Sequence, residues 1–279
     1  MKKSYNGIVV FYGIWVLVLI ILPLLIVLAL SFLGGNIYDF KTVTLTLDNY
    51  KEAFSKSYLG VMVRSVLMAL YCNIICFLIG YPVAYIISQF KSKYRNIMVL
   101  LLLAPMWSNF LLRTYSWMVL LGNNGPINSF ITSLGFNSVQ LMYNNFGVIL
   151  GMVYNFLPFM ILPIYLSLTR IDNGLVEAAK DLGATDGAVF RKIQFPLSIP
   201  GVFSGTTLVF LPAITSFVIS RLLGGGQYVL VGNLIEHKLV VQQEWQVGSA
   251  IAVVLMVVLL IFLAILRKVA KNKLELSLW

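Results

Sequence analysis

Residues 175–196 read LVEAAKDLGATDGAVFRKIQFP, a charge-dense stretch set between two predominantly apolar blocks, 146–168 and 197–220. A segment of this kind, in a chain otherwise built for lipid, reads as a water-exposed loop shaped for a soluble partner. Leu175, Ala178, Ala179 and Leu182 recur at three- and four-residue steps, the spacing of an amphipathic helix. Asp172 is placed to cap that helix near Asn173, Glu177 and Lys180 to pair weakly on its exposed side, and Gly183 to end it. Thr185 or Asp186 caps a second helix carrying Val189, Phe190 and Ile193. Arg191 and Lys192 lie at its carboxyl end, where positive charge is favourable. Pro196 is expected to close it, because the residue before a proline leaves helical geometry. The expectation is two short helices joined by a glycine elbow.

A loop lying on the lipid surface is the alternative, since Arg191, Lys192 and Phe190 suit headgroups. Against it, Asp172, Glu177, Asp181 and Asp186 balance Arg170, Lys180, Arg191 and Lys192, whereas an anionic surface favours a more basic face. The Ala178–Ala179 pair also makes a small-residue patch suited to docking in a groove.

The rest of the 279-residue chain is 59% hydrophobic and only 11% charged, with a mean hydropathy of +0.91; a soluble domain carries roughly 25% charged residues. The apolar residues fall in blocks at 8–33, 62–88, 97–121, 146–168, 197–220 and 247–266, each close to the roughly 20 residues a membrane helix needs. An all-α polytopic membrane protein follows, with six transmembrane helices in a single domain, 1–279. The 172–196 loop falls between spans four and five. Barrel strands would be shorter and would alternate. The first block follows Met1, Lys2 and Lys3 in the manner of a signal peptide, but its apolar run is too long for one and is read as a retained span.

Basic residues fix the orientation. Lys2 and Lys3, then Lys91, Lys93 and Arg95, then Arg267, Lys268, Lys271 and Lys273 all fall on one side of six spans. By the positive-inside rule that side is the cytoplasm, and both termini lie there. The net charge of +10 therefore speaks for topology and membrane lipid, with no nucleic acid implied. The 34–58 loop sets Asp39, Asp48 and Glu52 against Lys41, Lys51 and Lys56, and the 122–145 loop has no charged side chain; both suit the outer face.

Little in the chain suggests chemistry. Cys72 and Cys76 share one helix face in apolar surroundings and read as packing residues. His237 is the one histidine and reads as a surface or packing residue, so no zinc or haem cluster can be assembled. No Gly-x-x-x-x-Gly-Lys-Ser/Thr run and no nucleophile constellation is present. The chain is not read as an enzyme and binds no cofactor of its own.

Polar residues at membrane depth call for a function, since exposing them to lipid is costly. They are Ser108, Asn109, Arg113, Thr114 and Tyr115, then Tyr154 and Asn155, then Thr215 and Ser216. Asn109 and Arg113 share a helix face that Trp117 extends. Trp107, Tyr115, Trp117 and Tyr154 offer faces to a cationic amine, and Asn109 and Asn155 offer carbonyls in place of water. Helix–helix packing is the alternative for each. Arg113 repels a cation, so it either snorkels outward or meets an acid on a partner chain. The spans contain no carboxylate; Glu236 and Glu244 share the 221–246 segment with Lys238. In that segment Gly224–Gly226 predicts a turn before a short outer helix. Gly248 and Ala250 predict close helix contact.

Glu177-Ala178-Ala179, Gly183, Ile193 and Pro196 together resemble the EAA loop of ABC importer membrane subunits, with Phe195 where leucine is usual. Beyond the loop, TLDNYKEAF (46–54), YPVAYIIS (81–88), APMWSNFLLRTYSWMVLL (104–121), GNNGPINSFITSLG (122–135) and VYNFLPFMILPIYLSL (153–168) resemble the spermidine/putrescine branch of those permeases. The resemblance implies a MetI-like fold in a bacterial plasma (inner) membrane. It implies that Glu177, Ala178, Ala179, Asp181, Gly183, Phe190, Ile193 and Pro196 form a coupling helix seated on an ATP-binding subunit. It further implies a second homologous permease, two copies of that ATPase holding ATP and Mg, and an extracytoplasmic polyamine-binding protein. Permeases for ferric iron, thiamine or phosphonate share parts of the pattern. A secondary transporter or channel, the alternative from another class, predicts intramembrane acids or repeated halves, and neither is apparent.

The topology is checked by labelling intact cells with a membrane-impermeant thiol reagent. A cysteine at Lys273 is expected to stay unlabelled while one at Phe130 reacts; the reverse pattern overturns the orientation.

Overall fold

The computed structural model describes residues 11–35 and 42–276, with side chains through 270. Lys2, Lys3, Asp39 and Lys41 lie outside the described residues, as do the side chains of Lys271 and Lys273. Backbone in hydrocarbon must satisfy its hydrogen bonds within its own segment, and helices accordingly dominate. In chain order they are α1 (Phe11–Ser31), α2 (Asp48–Ala53), α3 (Lys56–Gln89), α4 (Ser92–Leu103), α5 (Phe110–Leu121), α6 (Pro126–Ser133), α7 (Asn145–Leu168), α8 (Asn173–Asp181), α9 (Asp186–Thr215), α10 (Val218–Gly224), α11 (Val231–Glu236) and α12 (Trp245–Leu276). Leu33–Gly34 and Thr44–Leu45 form a two-residue antiparallel pair, β1–β2. Five described helices, α1, α3, α7, α9 and α12, are long and apolar enough to cross a membrane. A sixth crossing results if Ser92–Trp107 and Phe110–Ser133 count as one broken span.

The 97–121 block is therefore not one continuous helix. Its two halves meet at 88°. After α4 a 3₁₀ turn runs over Ala104–Trp107, and Ser108 is extended. The Asn109 side-chain carbonyl then starts α5, accepting from the Leu111 amide at 2.8 Å. Hydropathy sums side chains and passes over an Ala-Pro and Ser-Asn pair that break the backbone.

Pro196 does not close its helix either. The second short helix runs on into the membrane as the head of α9. Phe190–Gln194 forms a π-turn in which the Phe195 amide donates to the Phe190 carbonyl. Such local widening lets a membrane helix accommodate a proline ring without breaking.

By its internal contacts the chain divides into two compact units. In the first, residues 1–62 and 234–258, the buried Asn49 amide donates to the Ser31 and Leu33 carbonyls at 3.0 and 2.8 Å, holding the α1 end and β1 to α2. Lys238, 6% exposed, donates to Glu244 at 2.5 Å and Glu52 at 3.2 Å, with the Tyr58 ring centroid 5.5 Å away. Burial lowers the Lys238 pKa, but hydrogen bonds to Glu244, Tyr58 and Glu52 outweigh it and raise the pKa above its ordinary value. Gly248 packs under Leu239, where an added Cβ would meet Leu239 Cδ2 at 2.6 Å. The close contact expected at Gly248 is present.

The second unit, residues 63–233 and 259–279, is built on the seam between α7 and α9. An added Cβ at Gly201 would lie 2.5 Å from the Pro163 carbonyl oxygen, and one at Gly205 would lie 2.8 Å from Met160 Sδ. Met160, Ile161, Ile164, Phe210 and Ile214 are buried in this unit. Across to α3, the Asn73 amide donates to the Thr206 carbonyl at 2.8 Å. Cys72 and Cys76 are buried with their sulfurs 4.0 Å apart, as packing residues should be. Gly225 and Gly226 adopt φ +59° and +76°, making the turn that their sequence predicts.

Gly201→Ala tests the seam, because the Pro163 backbone carbonyl, together with the Ser167 side chain, opposes the new methyl. Overpacking of this kind costs about 1–3 kcal/mol. Chemical denaturation of the purified protein in detergent is expected to show that loss, and an unchanged midpoint would mean α7 and α9 have room to part.

Candidate coupling elbow and membrane-depth polar residues

The elbow is assembled from short-range chemistry. Asp172 Oδ1 accepts from the Gly174 amide at 3.0 Å and starts α8. Thr185 Oγ1 accepts from the Ala188 amide at 3.3 Å and starts α9. Between them Gly183 sits at φ +84°. Its amide donates to the Lys180 carbonyl at 2.8 Å, and the Ala184 amide donates to the Ala179 carbonyl at 3.0 Å. This is the paired closure that glycine makes favourable at a helix end. Lys180 reaches across the turn to Asp186 at 2.8 Å. Its observed partner is thus Asp186 rather than Glu177, because the reversal at Gly183 swings the head of α9 back toward α8. Both groups are well exposed, so the pair adds little stability.

Glu177, Ala178 and Asp181 lie exposed on α8. Leu182, at the tip, is 90% exposed. Beside it is a hollow of about 500 Å³ lined by Ala179, Gly183, Ala184, Lys192 and Ile193 among others. Phe190 turns the other way: its ring packs edge-on to Tyr85 and Tyr81, with centroids 5.1 and 5.9 Å apart. Tyr81 in turn shares a 2.8 Å hydrogen bond with Ser198. Phe190 is therefore the root of the elbow rather than part of its outer surface. Pro196 lies within α9, half-buried. Periodicity places Leu182 on the apolar stripe of α8 and does not reveal its exposure at the tip. Nor does it reveal Tyr81 and Tyr85, which become partners only once α3 and α9 pack.

At membrane depth the residues scatter. Trp107 is exposed on the 3₁₀ turn. The Asn109 carbonyl is engaged in capping α5. Trp117 and Tyr154 meet edge-on with centroids 5.3 Å apart. Tyr115, two positions from Trp117, points to the opposite side of α5, since successive helical residues turn by about 100°. Asn155 is 2% exposed; its amide donates to the Gly151 carbonyl at 2.8 Å, and its Oδ1 is buried without a partner among the described residues. Arg113 likewise keeps a buried Nε without a hydrogen bond among the described residues. No group of three or more His, Cys, Asp or Glu suited to a metal occurs among the described residues.

Residues 8–273 match the family described as binding-protein-dependent transport system inner membrane component. The chain belongs to this family. It is 38% identical to the spermidine/putrescine transport system permease protein PotB of Haemophilus influenzae, over 94% of each chain. Among solved structures it resembles a chain of a bacterial ABC transporter that imports the acidic polysaccharide alginate, with a TM-score of 0.82 at 15% identity, covering 97% of this chain and 96% of that one. It also resembles a chain of the inward-facing MetNI methionine ABC transporter, with a TM-score of 0.53 at 17% identity, covering 80% and 99%. At those identities the structures speak for fold, and the fold is MetI-like.

As a member of this family the chain is a transmembrane permease component and not a catalytic one. Gly183→Ala keeps its elbow nearly unchanged in volume but places a side chain at φ +84°, which costs roughly 1–2 kcal/mol for an L-residue. Faster amide exchange over α8 and residues 184–189 is expected, with core protection unaltered. Equal exchange rates would show that the turn relaxes freely.

Proposed function

We propose that this chain is one of two membrane-spanning subunits of an ATP-driven importer that carries polyamines, spermidine and putrescine, into the cytoplasm. The similarity that carries the reading is the 38% identity, over 94% of both chains, to a permease named for that transport. The elbow supports it physically: an apolar tip at Leu182 beside a hollow is a shape for insertion into another protein.

On this reading the chain crosses a bacterial inner membrane six times, the broken α4–α5 segment being the third crossing. Both termini and the elbow then face the cytoplasm. Two ATPase subunits hold ATP and Mg, and one receives Glu177, Ala178, Ala179, Asp181, Gly183 and Ile193 in a surface groove. Closure of the ATPases pulls on the elbow. Phe190 passes that pull to α3 through Tyr81 and Tyr85, and Pro196 lies on the continuous helix that carries it inward. An extracytoplasmic binding protein delivers the polyamine, and a homologous second permease completes the path. Trp107, Asn109, Tyr115, Trp117, Tyr154 and Asn155 are this chain's contribution to it. The Trp117–Tyr154 pair is best placed to meet an ammonium, an aromatic contact of about 0.5–2 kcal/mol.

Assembled transporter with Ala179→Cys is expected to crosslink to a cysteine in the ATPase groove, and Glu177→Lys to lower ATP-driven spermidine uptake about tenfold while polyamine capture outside is unchanged. Absence of the crosslink together with undiminished uptake would remove the coupling assignment. Efficient coupling with no polyamine transport would remove the substrate alone.

A further inference from the structure

Where α3 ends, α4 begins, and α7 gives way to α8, a cavity of about 320 Å³ opens among the helix ends. That is the lower edge of the roughly 300–1,000 Å³ typical of small-molecule sites. Ser88, Gln89, Arg95, Thr169, Asn173 and Gln194 supply its polar lining. The two hydroxyls are already engaged: Ser88 donates to the Tyr85 carbonyl at 2.7 Å and Thr169 to the Leu166 carbonyl at 3.2 Å. The Gln89 amide donates to the Ser88 hydroxyl at 3.5 Å, and the remaining donors are not engaged. Arg95 Nε is buried without a partner among the described residues, and Gln194, only 9% exposed, enters no side-chain hydrogen bond among them, nor does Asn173. The neighbouring acid, Asp172, is turned to the Gly174 amide as the α8 cap, and Arg95 has no ion pair among the described residues.

A guanidinium stays charged and carries a planar fork of donors that matches two oxygens of one anion. A buried donor left unmatched is unfavourable. The carbonyl ends of α3 and α7 favour a cation at this place, and Arg95 supplies it. The Arg95 guanidinium and the Gln194 and Asn173 amides, all in the cavity lining, are the groups left for a ligand.

We propose that this cavity binds a phosphate-bearing oxyanion, held by the Arg95 fork and the Gln194 and Asn173 amides. The bound group ties the foot of α8 to the α3–α4 connection and steadies the arm that carries Leu182. Two sources supply the same chemistry. One is a phospholipid headgroup, drawn by the positive potential of Lys91 and Lys93 in the same connection; the other is free phosphate. The site does not depend on what the transporter carries.

The test uses the full-length chain purified with its accompanying subunits. In one arm the protein is extracted from nanodiscs of phosphatidylcholine and phosphatidylglycerol into neutral detergent, and retained phospholipid per chain is counted by native mass spectrometry. In the other, lipid-depleted protein is melted with inorganic phosphate or with chloride at equal ionic strength. Retained phospholipid that falls about tenfold in Arg95→Gln, but persists in Lys93→Gln outside the lining, identifies the headgroup. A phosphate-specific rise in melting temperature that Arg95→Gln abolishes identifies free phosphate. Gln194→Leu, which keeps the volume and removes the amide, weakens either signal if Arg95→Gln does not fold. Wild-type protein that neither retains phospholipid nor responds to phosphate overturns the proposal, as does binding that survives both substitutions.

Discussion

Lipid gives helices no hydrophobic reason to associate, so their contact rests on close packing and on polar groups that need one another. The α7–α9 seam meets that constraint by leaving side chains out. At Gly201 and Gly205 the α9 backbone lies directly against Pro163 and Met160, and Asn73 reaches the Thr206 carbonyl from α3. The consequence is mechanical, because α9 is both the second arm of the elbow and a membrane helix, continuous from Asp186 to Thr215. A rod packed backbone to backbone cannot bend locally when pushed at its head; it moves with α7. Phe190, lodged against Tyr81 and Tyr85, extends the same rigidity to α3.

That continuity is the part of the fold least visible in the sequence. Apolar blocks locate α1, α3, α7, α9 and α12 well, because hydropathy measures what lipid measures. Backbone breaks and non-breaks obey other rules. Pro105, Ser108 and Asn109 end one helix and cap the next inside an unbroken apolar run, while Pro196, which looks like a terminator, is carried through by the π-turn before it. A proline stops a helix when nothing re-satisfies the freed carbonyl, and whether something does depends on neighbours several residues away.

The elbow was legible for the opposite reason: caps and a left-handed glycine act over three or four residues. Asp172, Thr185 and Gly183 do what their identities suggest. Side chains that reach further do not follow from spacing. Lys180 finds Asp186 across the turn, Trp117 finds Tyr154 on another helix, and Lys238 gathers Glu52 from 186 positions away. In each case the partner is set by how elements pack, which local periodicity does not encode.

Charge placement then constrains how a polyammonium cation would move on the proposed reading. No acidic residue lies between Glu52 and Asp172, the stretch that runs from α3 to the end of α7. Lys238 shows what carboxylates do to an ammonium: Glu244 and Glu52, beside Tyr58, bury it and hold its proton firmly. A path lined that way would retain its cargo, whereas conduction needs binding weak enough to release. Aromatic faces such as Trp117 and Tyr154 attract a cation more gently, and the asparagine groups nearby are partly engaged with their own helices. Membrane-depth surfaces of this chain therefore suit passage over capture. On that reading, discrimination by charge falls to groups outside this chain's membrane-depth surfaces.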